Sequence, residues 1–277
     1  MKGLVLKLAF VVAALMVIFC IFAPVIAPYD PETIDLSAKF MPACSEHILG
    51  TDHLGRDVFS RLLYGSSVSL GSTFATLGLI LLIGVLVGAI SGFAGGRVDQ
   101  VLMRICDVFF SVPTIILALF LVGVLGTGLI NVIIAIAVSH WAWYARIVRS
   151  VVLSLKNKEY ILITRISGAS EAVNFKKNML RPILSQCVIL GTLDIGHIML
   201  HISALSFLGL GVRAPKAEWG IMISDAKDFI FTHSELMLYP GVALFLCVAN
   251  FNIIGDHLRD KLDAGRNLEV CDEYARA

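Results

Sequence analysis

Apolar and polar positions fall in long alternating blocks along this chain. Apolar runs occupy residues 8–27, 68–93, 108–125, 129–145, 183–210 and 236–254. Each is close to the roughly 17–25 residues that a helix needs to cross a bilayer. In hydrocarbon every backbone N–H and C=O must be paired internally, so these runs are read as helices. The pattern predicts an all-α polytopic membrane protein with six transmembrane helices and both termini on one side. The first run is longer than the roughly 7–15 apolar residues of a signal-peptide core, and Pro28 directly after Ala27 would spoil a cleavage site. It is therefore read as the first span. Gly71, Gly78, Gly84 and Gly88 in the second span are small residues of the kind that let helix backbones approach closely in lipid.

Two of the polar blocks are longer than a turn requires. Residues 28–67 open with PYDPE, whose prolines forbid a helix interior. Further on, Phe59, Leu62 and Leu63 fall at i, i+3 and i+4, with Asp57, Ser60 and Arg61 off that face. This predicts a short amphipathic helix at the membrane surface. SGFAGGRVDQ is read as a short basic loop carrying Arg97, with Arg104 just beyond it. The other long block, 146–182, separates the fourth and fifth spans, although about two to eight residues suffice to connect helices. Within it Glu159 to Ile166 is helical, Ser167-Gly168-Ala169 is a break, and Ser170 caps a second helix running to about Met179. A helix-forming loop of this length is expected to dock something. The domains expected are 1–67, the first span with an extracytoplasmic loop; 68–257, a transmembrane core containing the loop 146–182; and 258–277, a polar cytoplasmic tail.

Composition agrees with this pattern. Charged residues make up 16% of the 277, against about 25% in a soluble domain. The net charge of +1 is uninformative, but the placement of charge is not. Lys2, Lys7, Arg97, Arg104, eight basic residues in 146–182, Arg259, Lys261, Arg266 and Arg276 share one side. Lys39, Arg56, Arg61, Arg213, Lys216 and Lys227 lie on the other. The positive-inside rule makes the first side cytoplasmic. The six cysteines show neither CxxC pairs nor zinc-like spacing. GxxxxGK[ST] is absent, so any ATP that drives this protein binds another chain. Nothing in the pattern calls for nucleic acid or for a cofactor bound by this chain.

Several stretches carry a resemblance. EYILITRISGAS resembles the coupling loop of binding-protein-dependent ABC importer permeases, with Gly168 at the family's glycine and Glu159-Tyr160 at its run-in. Leu162-Ile163-Thr164 stands where Glu-Ala-Ala is usual, and Pro182 falls one residue late. GTDHLGRD with Ser60-Arg61 and Tyr64-Gly65, SFLGLGVRAPKAEWG, and GDHLRDKLD are similar to signatures of the peptide and nickel branch. GVLGTGLINVIIAIAVSHWAWYARIVRS and TLDIGHIMLHISALSFLGLGV look most like the C-type permease subunit of nickel ABC importers. The resemblance implies a type I ABC importer permease fold, a non-enzymatic transport subunit of the bacterial inner membrane, and nickel or a nickel chelate as substrate. It implies a homologous second permease, two ABC ATPase subunits that bind ATP, and an extracytoplasmic solute-binding protein. It also implies that Glu159, Arg165, Gly168 and Ala169 couple to the ATPases. Asp52, His53 and Asp57 are metal-ligating types, but peptide permeases carry the same stretch without needing a metal, and the plain structural reading is preferred.

Asp194, His197 and His201 are the residues read toward substrate. At i, i+3 and i+7 they share an arc of about 60° and roughly 10 Å of rise in the fifth span. Ionisable groups in a span are costly and usually face the bundle interior or a wet path. Imidazole and carboxylate suit nickel, zinc or copper, and His140 in the fourth span is a further contributor to such a path. The alternative is an interhelical hydrogen-bond cluster that only holds the bundle. Three readings of the whole chain compete with the nickel permease. A dipeptide or oligopeptide permease shares its frame. A secondary transporter would need inverted repeats, and none is evident. A membrane scaffold would leave uptake unchanged when deleted.

Overall fold

The computed structural model describes the backbone of residues 2–168 and 170–276 and the side chains of 6–164, 166–168, 170 and 173–261. Ten helices are seen among these: α1 (Lys2–Ile26), α2 (Val58–Ala94), α3 (Gly96–Phe110), α4 (Thr114–Leu125), α5 (Leu129–Lys156), α6 (Glu159–Ile166), α7 (Glu171–Asn174), α8 (Leu180–Phe207), α9 (Trp219–Ala226) and α10 (Glu235–Arg276). Five helices are long and apolar enough to cross a membrane, and α3 with α4 makes a sixth crossing if counted as one bent span. The all-α polytopic architecture is the one the hydropathy blocks predict.

Several boundaries differ from the expectation. The amphipathic stretch at 58–67 is not a separate surface helix but the first turns of α2, capped by Asp57, whose Oδ2 accepts from Ser60 N at 2.7 Å. Its buried face packs on protein, since Val58 and Leu63 are core residues. The expected third span is interrupted: α3 and α4 meet at 89° across Ser111–Pro113. Proline lacks an N–H and disfavours helix at the residue before it, so α3 ends and α4 starts afresh behind Pro113. The basic stretch at 96–104 is helix rather than loop. The second helix of the 146–182 loop is helical to Met179 as expected but does not end there: α7 runs through a π turn at Phe175–Met179 into α8. The polar segment after the sixth span continues α10 to Arg276.

The chain divides into two compact units, Met1–Gly71 with Ile189–Ala277, and Ser72–Val188. In the first, α1 packs on α10, and Leu70, Met199, Trp219, Met222, Leu244 and Cys247 form the core. Met16 and Cys20 of α1 close it from one side. On α8, Gly196 brings its backbone against α10, where a Cβ would lie 2.9 Å from Val248 Cγ1.

In the second unit, α2 lies on α5 along a stripe of glycines. A Cβ at Gly84 would fall 2.6 Å from Tyr144 Cβ, at Gly88 2.8 Å from Val148 Cβ, and at Gly92 2.7 Å from Val152 Cβ. Both partners recur every four residues, so one helix face of each meets the other. Lipid offers no hydrophobic drive for helix association, and close backbone packing of this kind supplies dispersion contact in its place. Gly71 and Gly78 have no part in it, since a Cβ at either would meet nothing within 4 Å among the described residues. α3 also docks on α5: Cys106, Trp141, Ala142 and Ala145 form a buried cluster, with Met103 and Phe109 at its edge.

Candidate functional site

The 146–182 loop carries its own small core. Ile161 of α6 is fully buried against Val148, Val152, Met179, Ile183 and Cys187. Phe175 meets Phe93 edge-on at 5.4 Å, and Lys156 Nζ donates to Phe93 O at 2.7 Å. Across the break, Thr164 Oγ1 donates to Asn174 Oδ1 at 2.6 Å. Gly168 has φ +88°, a left-handed conformation that favours glycine, and Ser170 Oγ accepts from Val173 N at 3.4 Å. With this inner face anchored, the outer face is apolar and bare: Tyr160, Ile163 and Ile166 are exposed, Ile166 by 87%. Lys158, Glu159, Lys176, Lys177 and Arg181 of the same loop are exposed charges. Exposed apolar and charged residues on a loop held by its own core have the form of a docking surface. Of the four predicted coupling residues, Glu159 and Gly168 lie on this surface; the Arg165 side chain and Ala169 fall outside the described residues.

Asp194, His197 and His201 lie on α8 as the spacing predicts. Asp194 is buried, His201 half-buried, and the His197 side chain is 74% exposed. His197 Nδ1 lies 3.6 Å from Asp194 Oδ1, beyond a direct hydrogen bond. Among the described residues no three His, Cys, Asp or Glu side chains converge as a metal-holding group. The three therefore form a one-sided line of donors rather than a closed site. His140 lies on α5 beside Trp143 and Tyr144, with ring centroids at 6.0 and 6.1 Å.

The 50–61 segment is committed to structure. Asp52 Oδ1 accepts from Leu54 N and Arg56 N, and Asp52 Oδ2 pairs with Arg56 Nε at 2.7 Å. Arg56 Nη2 reaches Asp225 Oδ2 at 3.0 Å. Arg61 Nη1 donates to Pro31 O and Pro215 O, each at 3.1 Å. Two buried arginines and two carboxylates thus tie the segment between α1 and α2 to α9. Asp57 caps α2 and also holds His47 Nδ1 at 2.9 Å. His53 stacks on Phe229 at 5.4 Å, and burial lowers its pKa from 6.5. With both carboxylates so engaged, the plain reading of Asp52, His53 and Asp57 has a physical basis.

Sequence reasoning missed three groups. Glu218 is fully buried and caps α9, accepting from Gly220 N at 2.9 Å and Ile221 N at 3.0 Å, with Ser69 Oγ donating at 3.1 Å. Burial pushes its carboxyl up. An acidic residue directly before the apolar run WGIMI was a legible cap signal. Asp225 gave none, because its partner is 169 positions away. Asp99 and Arg149, paired at 2.5 Å between α3 and α5, were equally silent.

Residues 84–267 match the model of the binding-protein-dependent transport system inner membrane component, and residues 7–43 match the N-terminal TM domain of oligopeptide transport permease C. The chain is 52% identical over 257 residues, 93% of each chain, to the nickel transport system permease protein NikC of Escherichia coli (strain K12). It is 38% identical to the oligopeptide transport system permease protein OppC of Bacillus subtilis (strain 168), over 91% of this chain and 83% of that one. The fold is similar to an inward-facing structure of the MetNI methionine ABC transporter, with TM-score 0.61, 21% identity, and coverage of 73% of this chain and 96% of the other. The chain is a membrane-spanning permease subunit, and it belongs to the family of binding-protein-dependent transport system inner membrane components.

Proposed function

We propose that the chain is the C-type permease of an ATP-driven importer that carries nickel, free or chelated, into the cytoplasm. The observation that carries this is the identity of 52% to a nickel permease over 93% of both chains, against 38% to an oligopeptide permease. The complex would hold a homologous second permease, two ATPase subunits and an external binding protein. The 146–182 loop supports the assignment through its anchored inner face and bare outer face. Its apolar patch, with Glu159, Arg165, Gly168 and Ala169, would dock in a groove of an ATPase and pass closure of the ATPases to the spans. Asp194, His197, His201 and His140 are proposed to line the path, where weak and incomplete ligation lets an ion leave as well as enter. Residues 1–67 would act as an arm, 68–257 as the transport core and 258–277 as a cytoplasmic tail. The separate match of 7–43 supports the first boundary.

Radioactive nickel uptake tests the reading. Cells lacking this chain should lose ATP-dependent nickel uptake and keep dipeptide uptake. Loss of peptide uptake with nickel uptake intact would assign a peptide permease. Sidedness is tested by labelling single cysteines from outside: Lys216→Cys should react and Lys158→Cys should not.

A further inference from the structure

The helix α3 presents three different faces. The first docks on α5 through Cys106 and Met103, with Asp99 paired to Arg149 and Asp107 to Arg146. The opposite face is a stripe of Val98, Val101, Ile105 and Val108, spaced 3, 4 and 3 residues apart and all exposed. At 100° per residue the four fall within an arc of about 80°. Between these faces run Arg97, Gln100 and Arg104. The Arg104 side chain is 87% exposed, and its ion pair to Asp107 is long, at 3.7 Å. Along the border between the basic and apolar rows lies an open groove of about 430 Å³, lined by Gln100, Val101, Arg104, Ile105 and Val108.

The geometry says what covers this stripe. α3 meets α4 at 89°, so if α4 runs along the membrane normal, α3 lies in the membrane plane. α4 has 12 residues, hence about 18 Å of helix, well short of a hydrocarbon core of about 30 Å. An amphipathic helix lying in the interface sinks its apolar face about 5–10 Å into the acyl boundary. That depth makes up a large part of the roughly 12 Å that α4 lacks. A row of arginines beside the apolar stripe then sits at headgroup level, where anionic lipid attracts basic side chains.

We propose that α3 is an interfacial lipid-binding helix, whose stripe enters the leaflet and whose groove seats an anionic phospholipid with its phosphate against Arg104, Arg97 lying about two turns along on the same face. The inference needs only that the chain spans a membrane and is independent of the transported substrate.

The test uses the assembled permease complex in nanodiscs of equal parts phosphatidylglycerol and phosphatidylcholine. Nitroxides are placed through Val101→Cys, Ile105→Cys and, as a control, Gln100→Cys. Oxygen should broaden positions 101 and 105 several-fold more than a water-soluble chromium complex does, with the reverse order at 100. If 101 and 105 are closed to both reagents, a protein partner covers the stripe and the proposal fails. If the chromium complex reaches them as readily as it reaches 100, the stripe faces water and the proposal also fails. For the headgroup, the double variant Arg97→Gln/Arg104→Gln should lose enrichment of co-purified phosphatidylglycerol over phosphatidylcholine, by about fivefold per arginine. An unchanged lipid ratio would remove the anionic headgroup from the site.

Discussion

Thr164 and Asn174 are joined by a hydrogen bond of 2.6 Å that bridges the break between α6 and α7. Asn174 Oδ1 also accepts from Asn178 Nδ2 at 3.0 Å, so one buried amide oxygen links three points of the loop. Thr164 is the third residue of the triplet that departs from the Glu-Ala-Ala pattern, and an alanine there could not make this bond. The departure thus exchanges a small residue for a tie between the helix before the glycine turn and the helix after it.

Replacing that tie has a defined cost. Thr164→Val keeps the shape and removes the donor, leaving the buried Asn174 oxygen with one partner fewer. The loss should be about 1–3 kcal/mol, felt locally. Amide hydrogen exchange over 159–179 should speed up while α2 and α5 are unchanged. Nickel uptake should fall, because a loosened loop transmits motion poorly. Unchanged protection in this segment would show that the bond does not hold the loop.

Gly168 separates strain from crowding. Its φ is +88°, yet a Cβ there would meet nothing within 4 Å among the described residues. Substitution is therefore penalised by the backbone conformation alone, as far as this chain is concerned. Asn tolerates left-handed angles far better than Leu does. Gly168→Asn should keep most of the uptake, whereas Gly168→Leu should lose it with the protein still in the membrane. Equal loss in both variants would mean that a partner's surface, and not the turn, excludes a side chain.

The parts of the fold set by local chemistry were readable and the parts set by distant pairing were not. The spans follow from apolar length, and α6 from Glu159 to Ile166 agrees with its expected bounds because helix, glycine break and cap are local signals. The interruption at Pro113 is present in the sequence, but an apolar run masks it: hydropathy averages over a whole span, while proline acts on itself and the residue before it. The first part of α3 reads as a loop because Gly95-Gly96 is a strong local signal and the 3-4-3 apolar spacing that follows is short. The ties Arg56–Asp225 and Asp99–Arg149 join positions that only tertiary packing brings together. At the candidate site, the line of Asp194, His197 and His201 was legible from helix period alone, but their unequal burial was not.

The region of Glu218 and His53 should show two opposed pH responses. Burial raises the Glu218 carboxyl above its usual 4.5. The folded state then binds the proton more tightly, so this contribution is fully present below about 4.5 and is lost as pH rises through the raised value. Burial lowers His53 from its usual 6.5, with Arg56 and Arg61 adding to it and Asp52 and Asp225 opposing. Its contribution is present above 6.5 and is lost as pH falls through the lowered value. Thermal unfolding of the purified complex, read across pH 4–8, should give a rising arm that His53→Gln removes and a falling arm that Glu218→Gln removes. A Glu218→Gln profile that keeps the falling arm would place that titration elsewhere.

The histidines of α8 can be tested against a purely structural role. Gly196 turns its face to α10, and the next residue, His197, carries its side chain out of the packed helix pair. Asp194 lies behind it, buried and 3.6 Å away. An imidazole held only for packing would be expected on the buried side, where interhelical hydrogen bonds contribute about 1 kcal/mol or less each. A side chain exposed by 74% within a span gains little from packing and is free to meet an ion or a partner. The double variant His197→Gln/His201→Gln keeps hydrogen bonding and largely removes ligation. If the path reading holds, nickel import should drop at least tenfold. Assembly of the complex and stimulation of its ATPase by the binding protein should stay within twofold of the parent. Import at the parental rate by a normally assembled double variant would make both histidines structural, and Asp194 would lose its claim to the path with them.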